Sequence, residues 1–257
     1  MSGPKIGCHT LTWGNYFGAY PLKNVLCDIK EAGYEGVEIY EDVQNPSLLK
    51  SQLEETGLEL AALSANVRVT SDEKSDISEA VQKVFLGGKF GIKTLMVTGG
   101  WKNDGLNKDP GSYKLLCRRL DSLSRYASEF GISVAFHNHL DTIVEDEKDI
   151  FNLLEFSRSV KLCADTGHLA AAGCNPAAVI EELSSSVALV HLKDWDPGIK
   201  DFVELGRGAL CHNIKNILET LRRINYTNWI VVELDRTIST PLESAKVSRG
   251  FLRGIGY

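Results

Sequence analysis

The chain lacks clustered positive charge and a long apolar run. Its 28 Lys and Arg side chains are outnumbered by 34 Asp and Glu, and the formal net charge is −6. Because phosphate neutralisation needs clustered cations, nucleic acid is not an expected partner. No stretch approaches the roughly 18 apolar residues of a membrane span, and the first residues lack an apolar signal core. We therefore expect a cytoplasmic protein that makes no membrane contact and binds a small molecule.

Cysteine is also sparse, and no two cysteines form a C-x-x-C pair. A disulfide framework or a zinc ribbon would need a denser pattern, so neither is predicted and reduced thiols are expected. The six cysteines are Cys8, Cys27, Cys117, Cys163, Cys174 and Cys211.

Short β-branched runs alternate with amphipathic stretches along the whole chain. This alternation is typical of βα units around a parallel sheet. The length of 257 residues matches the about 250 of one (β/α)8 TIM barrel. No linker interrupts the pattern, so one α/β domain over residues 1–257 is predicted. The predicted strands are 5–9, 36–40, 58–64, 94–98, 133–137, 161–165, 188–192 and 229–234. The predicted helices begin near Leu22, Ser47, Ile77, Ser112, Glu147, Pro176, Ile214 and Pro241.

The last four predicted strands end in side chains that can hold a divalent metal: His137, Asp165, His191 and Glu233. The C-terminal ends of barrel strands meet on the face where such enzymes carry their active sites. A lone strand-end His is more often a hydrogen-bonded structural group, but four consecutive strands favour ligation. Two carboxylates with imidazoles and no Cys suit Mn²⁺, Co²⁺ or Zn²⁺. Since alternate strand residues share a face, His139 is an alternative to His137 as a ligand.

Further polar residues follow these strand ends closely. We expect His168 to contact substrate. Lys193 lies beside the predicted metal, where its pKa is lowered and it acts as an acid or base, or it binds substrate oxygens as a cation. A surface ion pair with the aspartates that follow it is the alternative. His139, Asp235 and Arg207 join the predicted substrate-binding set, and Arg207 could receive an anionic group.

Aromatic residues lie in the predicted loops on the same face. Trp13, Trp101 and Trp195 could form apolar walls against a polyol, or they could pack the loops, since aromatic side chains bury a large area wherever they lie. We assign Trp13 to the substrate-binding set. His9, at the tip of the first strand, either lines the pocket or hydrogen-bonds inside the barrel.

These motifs together resemble the xylose-isomerase-like barrel superfamily, which includes tagatose 3-epimerases, hydroxypyruvate isomerase and inosose dehydratase. The likeness spans essentially the whole chain, and its inosose dehydratase branch is the most similar. The superfamily motifs are DTGH (165–168), HLKD (191–194), ELGRG (204–208) and VELD (232–235). The inosose dehydratase motifs are LTWGN (11–15), HNHLDT (137–142), Glu233 with Asp235, and TPLE (240–243).

The resemblance implies roles for individual residues. In the epimerase branch, Glu, Asp, His and Glu from the fifth to eighth strands hold the metal, and the two Glu exchange protons with substrate. Asp165, His191 and Glu233 match the last three, and His168 matches a substrate-contacting His. The fifth strand departs from the pattern, because His137 stands where the epimerases have Glu. This loss argues against a symmetric two-Glu epimerisation and favours a dehydratase or a one-base isomerase.

The implied chemistry acts on a keto-sugar or a ketocyclitol. The metal polarises the carbonyl and stabilises an enediolate. Glu233, His137 or His139 removes the proton, and Lys193 or His168 protonates a departing hydroxyl. The enediolate then yields an epimer, an aldose–ketose isomer or a dehydrated diketone.

Other functions remain as alternatives. Inosose dehydratase-like chemistry is favoured, with ketose 3-epimerase, aldose–ketose isomerase and a non-catalytic sugar-binding barrel as the competing readings. A multi-metal endonuclease on damaged DNA is disfavoured by six His and a net negative charge. Homo-oligomers are common in similar barrels, but no interface is marked in the sequence.

Overall fold

Eight parallel strands close into a barrel in the computed structural model, which describes residues 3–16, 20–210 and 212–257, without the side chains of residues 15 and 16. Consecutive barrel strands are neighbours, and the last closes against the first, so the predicted TIM barrel is confirmed. The barrel strands are β1 (Ile6–His9), β2 (Gly36–Ile39), β3 (Glu59–Val67), β4 (Thr94–Gly99), β5 (Ser133–His137), β6 (Lys161–Asp165), β7 (Val187–Leu192) and β10 (Ile230–Val232).

Helices surround this barrel. Four of them begin with a polar N-cap followed by proline: Asn45-Pro46, Asp109-Pro110, Asn175-Pro176 and Thr240-Pro241. The cap oxygen accepts an otherwise unpaired backbone N–H, and proline has none to satisfy, so this pair starts a helix at a fixed residue. The helices are α1 (Leu22–Ala32), α2 (Pro46–Thr56), α3 (Glu73–Asp76), α4 (Ser78–Phe90), α5 (Pro110–Ser128), α6 (Glu147–Phe156), α7 (Thr166–Ala171), α8 (Pro176–Glu182), α9 (Ile214–Arg223) and α10 (Pro241–Gly254).

The apolar core has two parts. A large cluster fills the layer between strands and helices and includes Val134, Phe136 and Val190. A small, separate cluster involves residues of the barrel strands, two pairs of which are consecutive where the strand register shifts on β3 and β7. Its members are Ala61, Ala62, Met96, Ala135, Cys163, Ala188, Leu189 and Val231. The small side chains at these positions match the narrow interior of an eight-stranded barrel.

Four strands and helices were not predicted. β8 (Asp194–Asp196) and β9 (Asp201–Val203) form an antiparallel two-stranded sheet directly after β7, where the sequence predicts a plain connection. α7 follows β6, and α3 precedes α4. All four are short, which leaves little periodicity to detect.

The structure also bears on two expectations from composition, which concern the cysteines and membrane-spanning helices. Cys8, Cys27, Cys117, Cys163 and Cys174 are free thiols, while Cys211 lies outside the described residues. Among the helices of the described ranges, none combines the length and the apolar character that crossing a bilayer requires.

Candidate metal centre

Inside the barrel, a layer of apolar side chains is followed by a layer of polar side chains two residues further along each strand. On β5, β6 and β7, the apolar residues Ala135, Cys163 and Leu189 are each followed two positions later by an ionisable residue. Val231 precedes an ionisable residue in the same way at the end of β10. The second layer therefore consists of His137, Asp165, His191 and Glu233, all buried. Strand periodicity alone places these four side chains at one level of the barrel.

One ligand atom from each of these side chains lies within 4.8 Å of the others. His137 Nε2 is 3.1 Å from Asp165 Oδ2 and 3.6 Å from Glu233 Oε2. His191 Nδ1 contacts the same Glu233 oxygen. The structure thus brings together all four predicted ligands. It leaves His139 outside this group.

The four residues fit a divalent cation. His191 Nδ1 and Glu233 Oε2 are buried and contact each other, but neither atom makes a hydrogen bond of normal geometry, although buried polar atoms nearly always do. Both atoms point into the space that the four side chains share. Two imidazoles and two carboxylates in a buried group beside the cleft are donors that zinc, cobalt or manganese accept.

Charge in the centre is balanced internally. Burial disfavours the ionised form of Glu233, but the Lys193 and His191 charges outweigh it and hold the pKa of Glu233 well below its usual range. Burial likewise disfavours ionised Asp165, but Lys193 and His168 lead the opposing charges that lower its pKa. Both carboxylates are therefore ionised at neutral pH and can bind a cation without first losing a proton.

Lys193 is completely buried in the centre of this charge cluster. Its Nζ lies 2.7 Å from Asp235 Oδ1, 3.3 Å from Glu233 Oε1 and 3.6 Å from Asp165 Oδ2. Burial lowers its pKa, but these three carboxylates outweigh that effect and raise it. The expectations of a lowered pKa and of a surface ion pair with Asp194 or its neighbours are therefore wrong.

The two oxygens of Asp165 make different contacts. Oδ1 accepts the backbone N–H of His168 at 2.7 Å and caps α7, while Oδ2 faces His137. The His168 ring is buried at the end of this turn, and burial leads the causes that hold its pKa well below the usual value. Its Nδ1 accepts the backbone N–H of Leu140 at 3.2 Å.

A cleft with an empty volume of about 580 Å³ opens beside the four side chains. Its lining residues are His9, Leu11, Tyr40, Ser64, Ala65, Asn66, Met96, Thr98, Trp101, His137, His139 and Glu233. Trp101 contributes a wall: its Nε1–H donates to Asn66 Oδ1 at 3.1 Å, and its ring packs 5.0 Å from that of His139.

A known protein family has the same barrel fold. The family model described as xylose isomerase-like TIM barrel matches residues 26–255. The chain belongs to this family. This membership agrees with the closed eight-stranded barrel.

Individual known proteins are similar over nearly the whole chain. The rhizopine catabolism protein MocC of Rhizobium meliloti is 28% identical over 95% of this chain and 86% of its own. The inosose dehydratase of Mesomycoplasma hyopneumoniae strain J is 26% identical over 99% of this chain and 97% of its own. A crystal structure of the IOLI protein with a bound zinc atom superimposes with a TM-score of 0.75, at 20% identity, over 98% of this chain and 97% of that one.

Among the residues predicted to bind substrate, His139 lines the cleft, whereas His168 and Asp235 contact Lys193 and are not part of the cleft lining.

The other two residues predicted to bind substrate, Trp13 and Arg207, lie elsewhere in this xylose isomerase-like barrel. Trp13 is buried in the core, and its Nε1–H donates to Asp28 Oδ2 at 3.0 Å, so its ring does not line the cleft. The side chain of Arg207 is 62% exposed and faces Glu204 at 4.0 Å. Both residues lie in loops at the C-terminal ends of the strands, as predicted, but neither side chain is directed into the cleft.

The second layer contains one carboxylate that sequence reasoning missed. Glu38 on β2 is fully buried, and its Oε2 accepts from His191 Nε2 at 2.9 Å. A charged residue within a strand predicted to be covered on both sides was the available signal. Phe202 on β9 was also missed; its ring lies 4.6 Å from that of His168 and 4.5 Å from Lys193 Nζ.

Proposed function

We propose that the protein is a divalent-metal-dependent enzyme that enolises a keto-sugar or ketocyclitol, and that it acts as an inosose dehydratase. The buried group of His137, Asp165, His191 and Glu233 beside the cleft carries this proposal. The relative named inosose dehydratase, similar over 99% of this chain, supports the substrate class. The zinc in the IOLI structure supports zinc as one candidate ion, with Mn²⁺ and Co²⁺ as the others.

The cleft favours an uncharged substrate. Its lining contains no Lys or Arg among the described residues, and the chain outside the described ranges contributes none either. The buried cation nearby, Lys193, already faces three carboxylates. A phosphate group would find no free cation there, whereas hydroxyls can pair with Ser64, Asn66 and Thr98.

The proposed reaction begins with removal of a proton next to the carbonyl. A bound divalent ion would supply Lewis-acid polarisation of that carbonyl. His139 is the base that the contacts favour: its Nδ1–H donates to the carbonyl of Leu140, which leaves Nε2 with a free lone pair. Burial, followed by the charge of His137, lowers its pKa, so the ring is neutral at neutral pH. Glu233, which also lines the cleft, is the alternative base.

Elimination of a hydroxyl then needs a proton donor. Lys193 lies 3.3 Å from Glu233 Oε1, but three carboxylates raise its pKa and make it a weak acid by itself. A divalent ion held by Asp165 and Glu233 would offset part of their charge and weaken this effect. We assign Lys193 the protonation of the departing hydroxyl when such an ion is bound. The second glutamate of a two-Glu epimerase has no counterpart in the cleft lining of the described residues, where His137 stands instead. This difference supports dehydration over epimerisation.

Proton NMR in D₂O tests the proposal. Protein loaded with Zn²⁺, Mn²⁺ or Co²⁺ is incubated with inososes, with ketohexoses and ketopentoses, and with their phosphates, and the metal is removed before the spectrum is recorded. We expect metal-dependent loss of a hydroxyl from an inosose and no reaction with any phosphate. Absence of exchange and of product across the panel, with metal bound, contradicts the proposal.

A non-catalytic sugar-binding barrel predicts a different result for Glu233→Gln. A pure binding protein keeps its ligand affinity in this variant and shows no turnover in either form. The proposed enzyme loses about 100-fold or more in turnover if Glu233 helps to organise the reaction, in the range that one acid–base group contributes. Calorimetric binding and NMR turnover on the same samples separate the two.

A further inference from the structure

Glu38 is a buried carboxylate that reaches the metal centre from the opposite half of the barrel. Its side chain is completely buried on β2, where alternation directs it inward. Both oxygens are used: Oε1 accepts from Ser64 Oγ–H at 2.7 Å, and Oε2 accepts from His191 Nε2–H at 2.9 Å. A buried carboxylate with two donors remains ionised, and an uncompensated one would be costly.

The hydrogen bonds around Glu38 run in a single direction. The backbone N–H of Leu11 donates to His9 Nδ1 at 3.0 Å, so the proton of this neutral ring lies on Nε2. His9 Nε2 is 3.0 Å from Ser64 Oγ and donates to it. The Ser64 hydroxyl proton is then available for Glu38. This relay of His9, Ser64 and Glu38 explains why β1 ends in a histidine.

The relay determines which nitrogen of His191 is available to an ion. With Nε2–H held by Glu38, the other ring nitrogen, Nδ1, is the one that contacts Glu233 Oε2 and faces the four-residue metal centre. A histidine that ligates a metal commonly donates its second N–H to a carboxylate, which fixes the ring and makes it a stronger ligand.

We infer that Glu38 is a positioning residue of the metal centre: supported by Ser64 and His9, it orients His191 so that Nδ1 is presented to a divalent ion. This inference rests on the proposed metal dependence. It assigns a function to three residues of β1, β2 and β3 that contribute none of the four ligands. Glu38 itself does not line the cleft, so its action passes through His191.

Zinc affinity of Glu38→Gln tests the inference. Glutamine has the same shape but replaces one acceptor oxygen with an NH₂ donor, so it cannot accept from both Ser64 and His191. We expect zinc affinity to fall 10- to 100-fold, the usual range for loss of such an outer carboxylate. Competition with a chromogenic chelator measures the affinity, and circular dichroism verifies the fold.

Two further variants separate positioning from general destabilisation. Ser64→Ala removes one donor to Glu38 without adding a conflicting group, so zinc affinity falls in the same direction but less than in Glu38→Gln. Asp76→Asn is the matched control, because Asp76 is a buried carboxylate that binds Arg119 and Thr70 outside the barrel. It is expected to lower the stability and to leave zinc affinity unchanged. Ser64→Ala also provides the test if Glu38→Gln does not fold.

Long-range ¹H–¹⁵N spectra of histidine-labelled, zinc-loaded protein give a second readout. Wild type is expected to show His191 with a proton on Nε2 and zinc on Nδ1. Zinc on Nε2, or a folded Glu38→Gln with wild-type zinc affinity, overturns the inference. Zinc binding requires no substrate, so an inactive protein whose affinity depends on Glu38 contradicts the proposed reaction alone. A wild type that binds no zinc overturns both.

Discussion

Asp165 combines two tasks in one side chain, and they can be separated by mutation. Asp165→Asn keeps an oxygen for the cap of α7 but removes the charge that faces His137. We expect zinc affinity to fall by more than the about 100-fold that loss of an outer partner causes. Asp165→Ala also loses the cap, which should lower the unfolding free energy by about 1 kcal/mol more than Asp165→Asn does.

Chelator competition and urea unfolding of the two Asp165 variants measure these effects. Equal zinc affinity in wild type and Asp165→Asn would remove Asp165 from the ligand set. Equal unfolding free energies of the Asn and Ala variants would show that the cap contributes nothing.

At the scale of elements, Asp194 connects the small sheet to the loop that follows it. Its carboxylate accepts the backbone N–H groups of Trp195, Gly206, Gly208 and Leu210 at 2.9–3.0 Å. Asp194→Asn puts an NH₂ donor against these donors. We expect faster hydrogen exchange at the amides of the 206–210 loop and a loss of about 1–3 kcal/mol. Unchanged exchange there would mean that the loop is held by other contacts.

Asp76 connects the segment before α4 to α5 in a pH-dependent way. Burial opposes its charge, but hydrogen bonds from Thr70 and the Arg119 guanidinium outweigh it and hold the pKa of Asp76 below its usual range. Because the folded pKa is below the unfolded one, the stabilisation is present above about pH 4 and is lost as the pH falls through the folded value.

Urea unfolding at neutral and acidic pH measures this contribution. Asp76→Asn is expected to unfold about 1–3 kcal/mol more easily at neutral pH, since it leaves Arg119 without its buried partner. Its stability should also fall less steeply with acid than that of wild type. Parallel pH profiles of the two proteins would contradict the assignment.

Elements with strong local signals were predictable, and short ones were not. Asn175-Pro176 and Thr240-Pro241 start helices at the predicted residues, because cap and proline act within one turn. The three-residue strands β8 and β9 have no such signal, so Phe202 was missed with them. The ligand group was predictable because strand alternation fixes the position of its four side chains along the barrel. The direction of the Trp13 side chain was not predictable, because the direction of a loop side chain depends on packing partners such as Asp28.

At the scale of the whole molecule, an ion that binds only the folded barrel must stabilise it. Zinc at 100 times its Kd adds about 2.7 kcal/mol to the unfolding free energy. For a protein of this size, that corresponds to a rise in Tm of roughly 5–10 °C. Scanning calorimetry with zinc and with EDTA measures the difference. The rise in Tm should be smaller in Asp165→Asn than in wild type. If zinc does not change the Tm of wild type, the folded protein has no such zinc site.

The contact between Glu38 and His191 joins residues 153 positions apart. The two halves of the barrel therefore contribute different parts of the metal centre. The four ligands come from the second half of the chain, between His137 and Glu233, whereas the relay that orients His191 comes from the first half. Each half-barrel is thus incomplete without the other. Two separately expressed fragments would regain full ion affinity on reassembly, and a duplicated second half would keep the ligands but lack their support.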